Sequence, residues 1–353
     1  MKDAYIAGSG LASALGSDLP AAIEALREGG VAPRRFELPS GNAWPYHAID
    51  DDCADWSARA ERIVRRVAAE SGALSMRDGP LFVASSSVDI GARELDRRFE
   101  HDMLAFADGV QHWLDWRGPV YSVCTACTSS MVALFSAADC VRAGLCESAL
   151  VLGVELRNAL SVGGFGAMQL LSQRPARPLG AARDGLVLGE AVAALHVSRE
   201  PAPWRFAGGA NVTDGRDPAG IVPDAVEAAC RGALASSGVV PGAIDLVKLQ
   251  AAGSPSGDAN ELCALERIFD PLPSLTTLKS ALGHTLGASG AAEIALLVAC
   301  IDAGVWPDAG HPLDRSLGAR LVARTPERLR HALVNILGFG GGHTACVLEA
   351  SPR

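Results

Sequence analysis

The stretch that decides the fold is VCTACTSS, residues 123–130, where Cys127 lies between a strand-like run at 120–123 and a long apolar helix at 131–142. The small residues predict a turn that places the Cys127 side chain at the N-terminal end of this helix. Unpaired N–H groups and the helix dipole favour an anion there, so we expect a stabilised thiolate. The segment alone leaves two interpretations open, an acyl-accepting nucleophile or a buried structural cysteine.

Composition places the chain among α/β proteins, as one large domain or two fused halves. Its 353 residues are 49% hydrophobic and include 38 glycines, so the core can be large without a disulfide or metal. Nine irregularly spaced cysteines and the lack of a signal peptide predict a reducing, cytoplasmic location. The strand-like start at 4–7 leaves no room for a targeting segment.

The net charge of −9 argues against nucleic acid as a partner. We expect no membrane span, because the longest apolar run, near 291–301, is interrupted by Glu293. An acidic carrier protein would need a local basic patch for docking. Arg59, Arg62 and Arg66 on a predicted helix at 57–69 offer one, although a solvated helix face is the simpler explanation.

Strands and helices alternate along the chain, which predicts sheets covered by helices on both sides. The residues GSG at 8–10 are predicted to turn the first strand toward a helix at 19–27. The order of elements is similar in the two halves, which indicates an internal duplication with units at 1–202 and 203–353.

Two further segments carry candidate chemistry. Residues 279–291, KSALGHTLGASGA, predict a strand that ends at Lys279 and a loop that exposes His284. His284 is a candidate acid/base or hydrogen-bond donor, and Lys279 a cation that holds a local network. Residues 335–343, NILGFGGGH, predict glycines at a strand end whose N–H groups form an oxyanion hole. A capping histidine with a surface lysine, and a flexible hairpin, are the alternatives.

A fourth segment, 250–261, reads QAAGSPSGDANE. It predicts a loop that leads into a helix capped by Ser256 or Asp258. None of its side chains has an evident catalytic use.

In this order, residues 125–130, 279–284 and 335–341 resemble the nucleophile, lysine–histidine and glycine-rich motifs of the β-ketoacyl-acyl carrier protein synthases. These are the condensing enzymes of fatty acid and polyketide synthesis. Two further stretches also match, at 165–172 and 183–190. The resemblance covers almost the whole chain and implies a thiolase-like α/β fold, a duplicated five-layer α-β-α-β-α arrangement that is usually dimeric.

The resemblance also implies roles for single residues. Cys127 would accept an acyl chain from an acyl carrier protein, and the backbone N–H groups of Cys127 and Phe339 would form the oxyanion hole. His284 would polarise a malonyl thioester, with Lys279 in support. Phe165 and Phe339 would line and gate the acyl pocket. No cofactor or metal is implied.

One feature departs from the family pattern. A second family histidine lies after a buried strand, here 246–250, and Ala252 takes its place in a shortened loop. An alanine cannot bind a developing enolate, and losing one such donor typically costs roughly 3 kcal/mol of barrier. Acyl transfer onto Cys127 is expected to survive, whereas condensation is expected to be impaired. His343, which follows the glycine run, is a candidate compensating group.

Two functions therefore stay open. The first is an acyl-transferring synthase that lacks full condensing activity. The second is a chain-length-factor-like subunit that pairs with a complete ketosynthase, as in aryl polyene pathways. The retained Cys127 counts against the second, whereas Ala252 and a short region at 87–113 favour it. The expected partners are an acyl carrier protein and either a second copy or a complete ketosynthase.

Two interpretations outside this family are weaker. Cys124-x-x-Cys127 could be a redox or metal pair, but no second pair at ligand spacing follows. Gly8-x-Gly10 could begin a dinucleotide site, but the rest of that pattern is missing.

Overall fold

The structure, a computed structural model, describes residues 2–51, 53–96, 102–217 and 219–351. The strands within these residues are β1 Tyr5–Ser13, β2 Arg34–Glu37, β3 Ala43–His47, β4 Leu81–Ala84, β5 Val120–Val123, β6 Ser148–Glu155, β7 Leu188–Gly189, β8 Ala191–Ser198, β9 Trp204–Thr213, β10 Leu246–Lys248, β11 Ser274–Thr276, β12 His331–Gly338 and β13 Gly342–Ala350. The α-helices are α1 Leu19–Arg27, α2 Trp56–Glu70, α3 Ile90–Asp96, α4 Met103–Leu114, α5 Ser129–Arg142, α6 Ala159–Ala167, α7 Pro223–Ser237, α8 Pro255–Glu266, α9 Lys279–Leu282 and α10 Ser289–Ala303.

The strand order repeats between the two halves. The main sheet runs β11-β10-β12-β13-β9-β1-β8-β6-β4-β5. Counted outward from the centre, each half has two antiparallel pairings followed by two parallel ones. The halves meet where Tyr5 and Ile6 pair with Arg205 and Trp204. The unit boundary at 202/203 stays a prediction.

The helices lie in three layers around these strands. The helices α5 and α10 pack in the middle core between the two halves of the sheet. The helices α2 and α4 cover the outer face of the first half, and α7 and α8 cover the second. The predicted five-layer α-β-α-β-α arrangement is therefore confirmed.

The two middle helices approach each other closely at a glycine. A Cβ atom at Gly290 would lie 2.7 Å from the backbone nitrogen of Met131, so a larger residue would push α10 away from α5. This crossing lies in the first turn of both helices. It brings the turn before α5 next to the loop before α10, where Cys127 and His284 lie.

The predicted turn at residues 8–10 was wrong. These residues lie inside β1, which runs from Tyr5 to Ser13. The glycines serve close packing: a Cβ at Gly8 would lie 2.4 Å from the carbonyl oxygen of Ser71, and a Cβ at Gly10 would lie 2.3 Å from that of Val67. The end of α2 therefore rests directly on the backbone of β1.

The predicted cap of α8 was also wrong. Ser254, not Ser256 or Asp258, accepts the capping hydrogen bond from the N–H of Gly257, and Pro255 is the first helical residue. The carboxylate of Asp258 turns inward instead, where it accepts hydrogen bonds from the N–H groups of Leu179 and Ala252.

The expectation about membrane spans also needs correction. By length and composition the segment Leu286–Ala303 could cross a membrane. However, 72% of it is buried inside the fold, and Glu293 within it is bound to buried lysines. In this structure the segment consists of α10, one of the two middle helices of the core, and the three residues before it. Within the region 87–113, residues 97–101 lie outside the described residues.

The proposed arginine stripe is not one surface. Arg59 is 2% exposed and faces inward, where its guanidinium makes a two-pronged ion pair with the buried Glu190, at 3.0 and 2.7 Å. Arg62 lies nearer solvent and pairs with Asp51. The helix therefore does not present the three arginines to a carrier protein.

Replacing Arg59 by methionine leaves Glu190 buried without its main partner. We expect the free energy of unfolding to fall by about 3–5 kcal/mol, because removing one partner strands a buried charge. Urea denaturation followed by circular dichroism measures this. The matched control is Arg62→Met on the same helix, which should shift the midpoint far less. Equal losses in the two variants would contradict the assigned role of the buried pair.

Candidate active site

A short turn places Cys127 between β5 and α5. Ala126 adopts a left-handed conformation, with φ 51°, which is uncommon for a residue with a side chain. The hydroxyl of Thr128 donates to the Thr125 carbonyl at 2.6 Å, and that of Ser129 donates to the Ala126 carbonyl at 2.6 Å. These bonds fix the turn, so the buried sulfur of Cys127 has one orientation two residues before α5.

The glycine-rich loop reaches this cysteine as predicted. A Cβ at Gly338 would lie only 3.2 Å from the backbone nitrogen and the Cβ of Cys127. The backbone N–H groups of Phe339 and of Cys127 itself oppose part of the rise that burial causes in the pKa of the thiol. Two backbone donors therefore lie beside Cys127, where they can serve as an oxyanion hole for the carbonyl oxygen of a thioester that the thiol attacks.

His284 lies on the other side of the sulfur. Its Nε2 is 3.1 Å from the Sγ of Cys127. Its backbone N–H donates to the Val187 carbonyl at 2.7 Å, and its carbonyl accepts from the Gly189 N–H at 3.1 Å. Strand β7 therefore fixes the histidine. The prediction that a loop exposes His284 was wrong, because the residue is 4% exposed.

A buried network holds the ring from behind. The Nζ of Lys279 lies 3.0 Å from His284 Nδ1, 3.1 Å from the Ser289 hydroxyl and 2.5 Å from a Glu293 oxygen. Three acceptors match the three N–H donors of a charged lysine. Nδ1 then accepts, so we assign the ring proton to Nε2, facing Cys127. Lys279 begins the one-turn helix α9 and does not end a strand.

A second lysine shares the same carboxylate. The Nζ of Lys248 lies 2.6 Å from the other oxygen of Glu293 and 2.6 Å from the Asn335 carbonyl oxygen. Neither Lys248 nor Glu293 was predicted from the sequence to be a site residue. The signal was present, because a charged residue inside a buried strand or an apolar helix needs a partner.

Burial shifts the pKa values of both reacting groups toward neutral forms. It raises the pKa of the Cys127 thiol to about 11, although the Phe339 N–H and the Lys279 charge oppose this. Burial, followed by the charges of Lys279 and Lys248, holds the pKa of His284 well below its usual value. The expected resting thiolate was therefore wrong: the helix end does not offset the loss of solvent, and the resting pair is a thiol beside a neutral imidazole.

Glu155 supports the loop that follows His284. Its buried carboxylate accepts hydrogen bonds from the N–H groups of Ser86 at 2.9 Å, Ser87 at 3.0 Å and Gly287 at 2.8 Å. The link between the serines at 85–87 and Glu155 was not predicted from the sequence. Such contacts between distant segments leave no local pattern in the sequence.

A cavity of about 240 Å³ opens above the sulfur. Its walls include Cys127, His284 and the rings of Phe165 and Phe339, which stack with centroids 5.1 Å apart. Ala252 is also in the wall, where its methyl group offers no hydrogen bond. The site thus combines a buried thiol, a histidine, two backbone N–H groups and an aromatic pair.

His343 does not join this site. It is not among the residues that line the cavity, and its Nδ1 lies 2.7 Å from the Gly341 carbonyl oxygen on its own hairpin. Its Nε2 is buried without a partner among the described residues. The proposal that His343 compensates for the missing histidine is therefore wrong.

The alternative in which Cys124 and Cys127 form a redox or metal pair has no structural support. Cys124 is exposed whereas Cys127 is buried, and both are free thiols. Among residues 2–51, 53–96, 102–217 and 219–351, no group of three or more His, Cys, Asp or Glu side chains is placed to hold a metal ion.

The sequence matches two models of one family. The model described as "Beta-ketoacyl synthase, N-terminal domain" matches residues 97–202, and "Beta-ketoacyl synthase, C-terminal domain" matches residues 207–312. The chloroplastic 3-oxoacyl-[acyl-carrier-protein] synthase II of Arabidopsis thaliana is 33% identical over 264 residues, which cover 66% of this chain and 48% of that protein. The chain spans about half the length of the curated relatives that it matches first.

Solved structures share the fold. A chain of the ketosynthase ApeO in complex with its chain length factor ApeC, from Xenorhabdus doucetiae, is 22% identical with a TM-score of 0.87, covering 99% of this chain and 98% of that chain. A type II polyketide acyl-carrier protein complex with its ketosynthase gives 18% identity and a TM-score of 0.85, covering 99% and 100%. The fold is therefore the predicted thiolase-like one.

The raised pKa of Cys127 predicts how the thiol reacts with iodoacetamide. The rate of alkylation of the Cys127 peptide, followed by mass spectrometry, should rise about tenfold per pH unit from about pH 7 to about pH 10, because the thiolate fraction keeps growing below the pKa. Cys127→Ser identifies the signal from the other cysteines. A rate that levels off near pH 8 would contradict a buried neutral thiol.

Proposed function

Because the chain belongs to the β-ketoacyl synthase family, we propose that it is a ketosynthase-like protein of type II fatty acid or polyketide biosynthesis that takes acyl groups from an acyl carrier protein onto Cys127. The observation that carries this proposal is the 3.1 Å contact between Cys127 Sγ and His284 Nε2 at the floor of the cavity. A structural cysteine would need neither this histidine nor the backbone donors around it.

In the proposed transfer, Cys127 Sγ attacks the carbonyl carbon of the acyl thioester. The negative charge on the carbonyl oxygen is stabilised by the N–H groups of Cys127 and Phe339. The bond from the carbonyl carbon to the carrier sulfur then breaks, and the proton of the Cys127 thiol leaves with the carrier thiol. Because burial keeps the resting thiol neutral, the proton moves only when the substrate is in place.

The aromatic pair is proposed as the gate of the acyl pocket. Phe339 lies on the glycine-rich loop and stacks on Phe165, and both rings line the cavity. Beside the rings, four buried apolar side chains pack into one cluster with Cys127, and this apolar surrounding suits an alkyl or polyene chain: Tyr46, Val162, Leu188 and Leu286. Entry of a chain requires the stacked rings to separate.

Condensation is proposed to be weak in this site. His284, with its proton on Nε2, supplies one donor to the carbonyl of a malonyl thioester. Ala252 supplies none, so the enolate that forms when CO₂ leaves has less stabilisation than in a site with two histidines. The expected result is acyl transfer that outpaces carbon–carbon bond formation.

A chain-length-factor-like subunit is the second candidate. Two observations favour it: Ala252 in the cavity wall, and likeness to a structure of a ketosynthase with its chain length factor. In this case the chain pairs with a complete ketosynthase, and its own cavity stays unacylated. The two candidates differ in whether Cys127 carries an acyl group.

Incubation with hexanoyl-acyl carrier protein, followed by intact mass measurement, tests the first candidate. We expect the mass of one hexanoyl group on the protein and none on Cys127→Ala. His284→Ala should slow adduct formation by at least about tenfold, because the transition state loses a positioned donor. No adduct, alone or with a complete ketosynthase present, would reject acyl transfer.

The second candidate is tested by co-expression with the ketosynthase from the same gene neighbourhood. A stable heterodimer whose product length changes when the residues behind Phe165 are enlarged, and is unaffected by Cys127→Ala, would establish the subunit role. A homodimer with full product formation from malonyl-carrier protein would reject both the subunit role and the predicted weakness in condensation.

A further inference from the structure

One polar side chain in the cavity has no role in the transfer described above. Gln250 is 5% exposed, and its Oε1 has no hydrogen-bond partner among the described residues. It lines the same cavity as Cys127 and His284. A buried acceptor without a donor destabilises the empty site, so a ligand that brings a donor gains free energy on binding.

The alternation of side chains along β10 and the three residues that follow it indicates the direction of Gln250. Val247, Leu249 and Ala251 pack into the outer core with α7 and α8. Lys248 lies on the opposite face, where its Nζ reaches Glu293. Successive side chains of an extended segment point to opposite faces. Gln250 therefore shares the face of Lys248, which is the face of the reacting groups.

The backbone at Gln250 is held on both sides. Its N–H donates to one oxygen of the buried Glu261 at 2.7 Å, and the N–H of Ala251 donates to the other at 2.8 Å. The hydroxyl of Thr277 donates to the Ala251 carbonyl oxygen at 2.8 Å. The amide of Gln250 thus extends from a fixed support, which makes it a preorganised acceptor.

The two carboxylates in the cavity wall are already occupied. Asp258 accepts from the N–H groups of Leu179 and Ala252, and Asp184 accepts from Ser172 and Arg174. By contrast, the Oε1 of Gln250 is a buried acceptor in the same wall that has no partner among the described residues. The cavity wall at Ala252 therefore contains a hydrogen-bond acceptor, Gln250, in addition to the methyl group of Ala252.

We infer that Gln250 binds the arm of the acyl donor by accepting a hydrogen bond from the amide N–H next to the thioester. This inference rests on the proposed function, because it takes the donor to be an acyl thioester on a pantetheine-type arm. In such an arm two carbons separate the sulfur from an amide nitrogen. When the thioester carbon meets Cys127, that amide follows it into the cavity, where a neutral acceptor can hold it.

The test compares two small thioesters that differ by one group. The first is S-hexanoyl-N-acetylcysteamine, and the second replaces its amide N–H by an ester oxygen. Single-turnover acylation of Cys127 in the wild-type protein should be about tenfold faster with the amide, as expected for one hydrogen bond to a buried acceptor. The ratio of the two rates is the readout, because a purely structural change slows both reactions alike.

Three variants assign the preference to one side chain. Gln250→Leu keeps the size but removes the acceptor, so its rate ratio should fall to about one. Gln250→Glu keeps an oxygen at the same place and should retain the preference. Ala252→Val, the matched control in the same wall, should slow both thioesters and leave the ratio unchanged.

A wild-type ratio near one, or a preference that survives in Gln250→Leu, overturns the inference. Failure of acyl transfer is distinguished by a second measurement. The corresponding unreactive pair, S-hexyl-N-acetylcysteamine and its ester analogue, is titrated calorimetrically into the wild-type and Gln250→Leu proteins. A preference for the amide in Kd that is lost in the leucine variant supports the role of Gln250 even if Cys127 never reacts, and equal Kd values reject it.

Discussion

The buried carboxylate of Glu293 is the interaction on which the site depends. One of its oxygens binds Lys279 and the other binds Lys248, all with side chains at most 1% exposed. A lysine without this partner would lose its charge or leave the core. Through Lys279 the carboxylate fixes the tautomer of His284, and through the histidine it reaches Cys127. A residue in the middle of α10 thus organises chemistry at the start of α5.

The duplicated fold explains why the reacting groups come from both halves. Each half contributes one middle helix, and the close crossing at Gly290 brings the segments before these helices together. Cys127 comes from the first half, whereas His284, Phe339 and Gln250 come from the second. Neither half contains the complete set, so the contact between the two is itself the functional element.

Much of the fold and part of the site can be predicted from the sequence. The resemblance of the motifs around Cys127, His284 and Phe339 to those of the β-ketoacyl synthases predicted that these residues share one site, whereas each motif alone left alternatives open. The protonation of Cys127 was not predictable, since it depends on how deeply the folded chain buries the sulfur. The role of Gln250 was not predictable, because it depends on the face of the sheet to which its side chain points. The sequence of the segment alone does not determine that face.

Lys279 and Lys248 share the carboxylate of Glu293, and both act on the histidine ring as positive charges from behind. The ring itself stays neutral, since these charges and its burial oppose protonation. The charge of Lys279 polarises Nε2–H through the ring. The neutral ring therefore becomes a stronger hydrogen-bond donor without being protonated. The strength of the hydrogen bond that Nε2–H donates therefore does not depend on the pH of the solution.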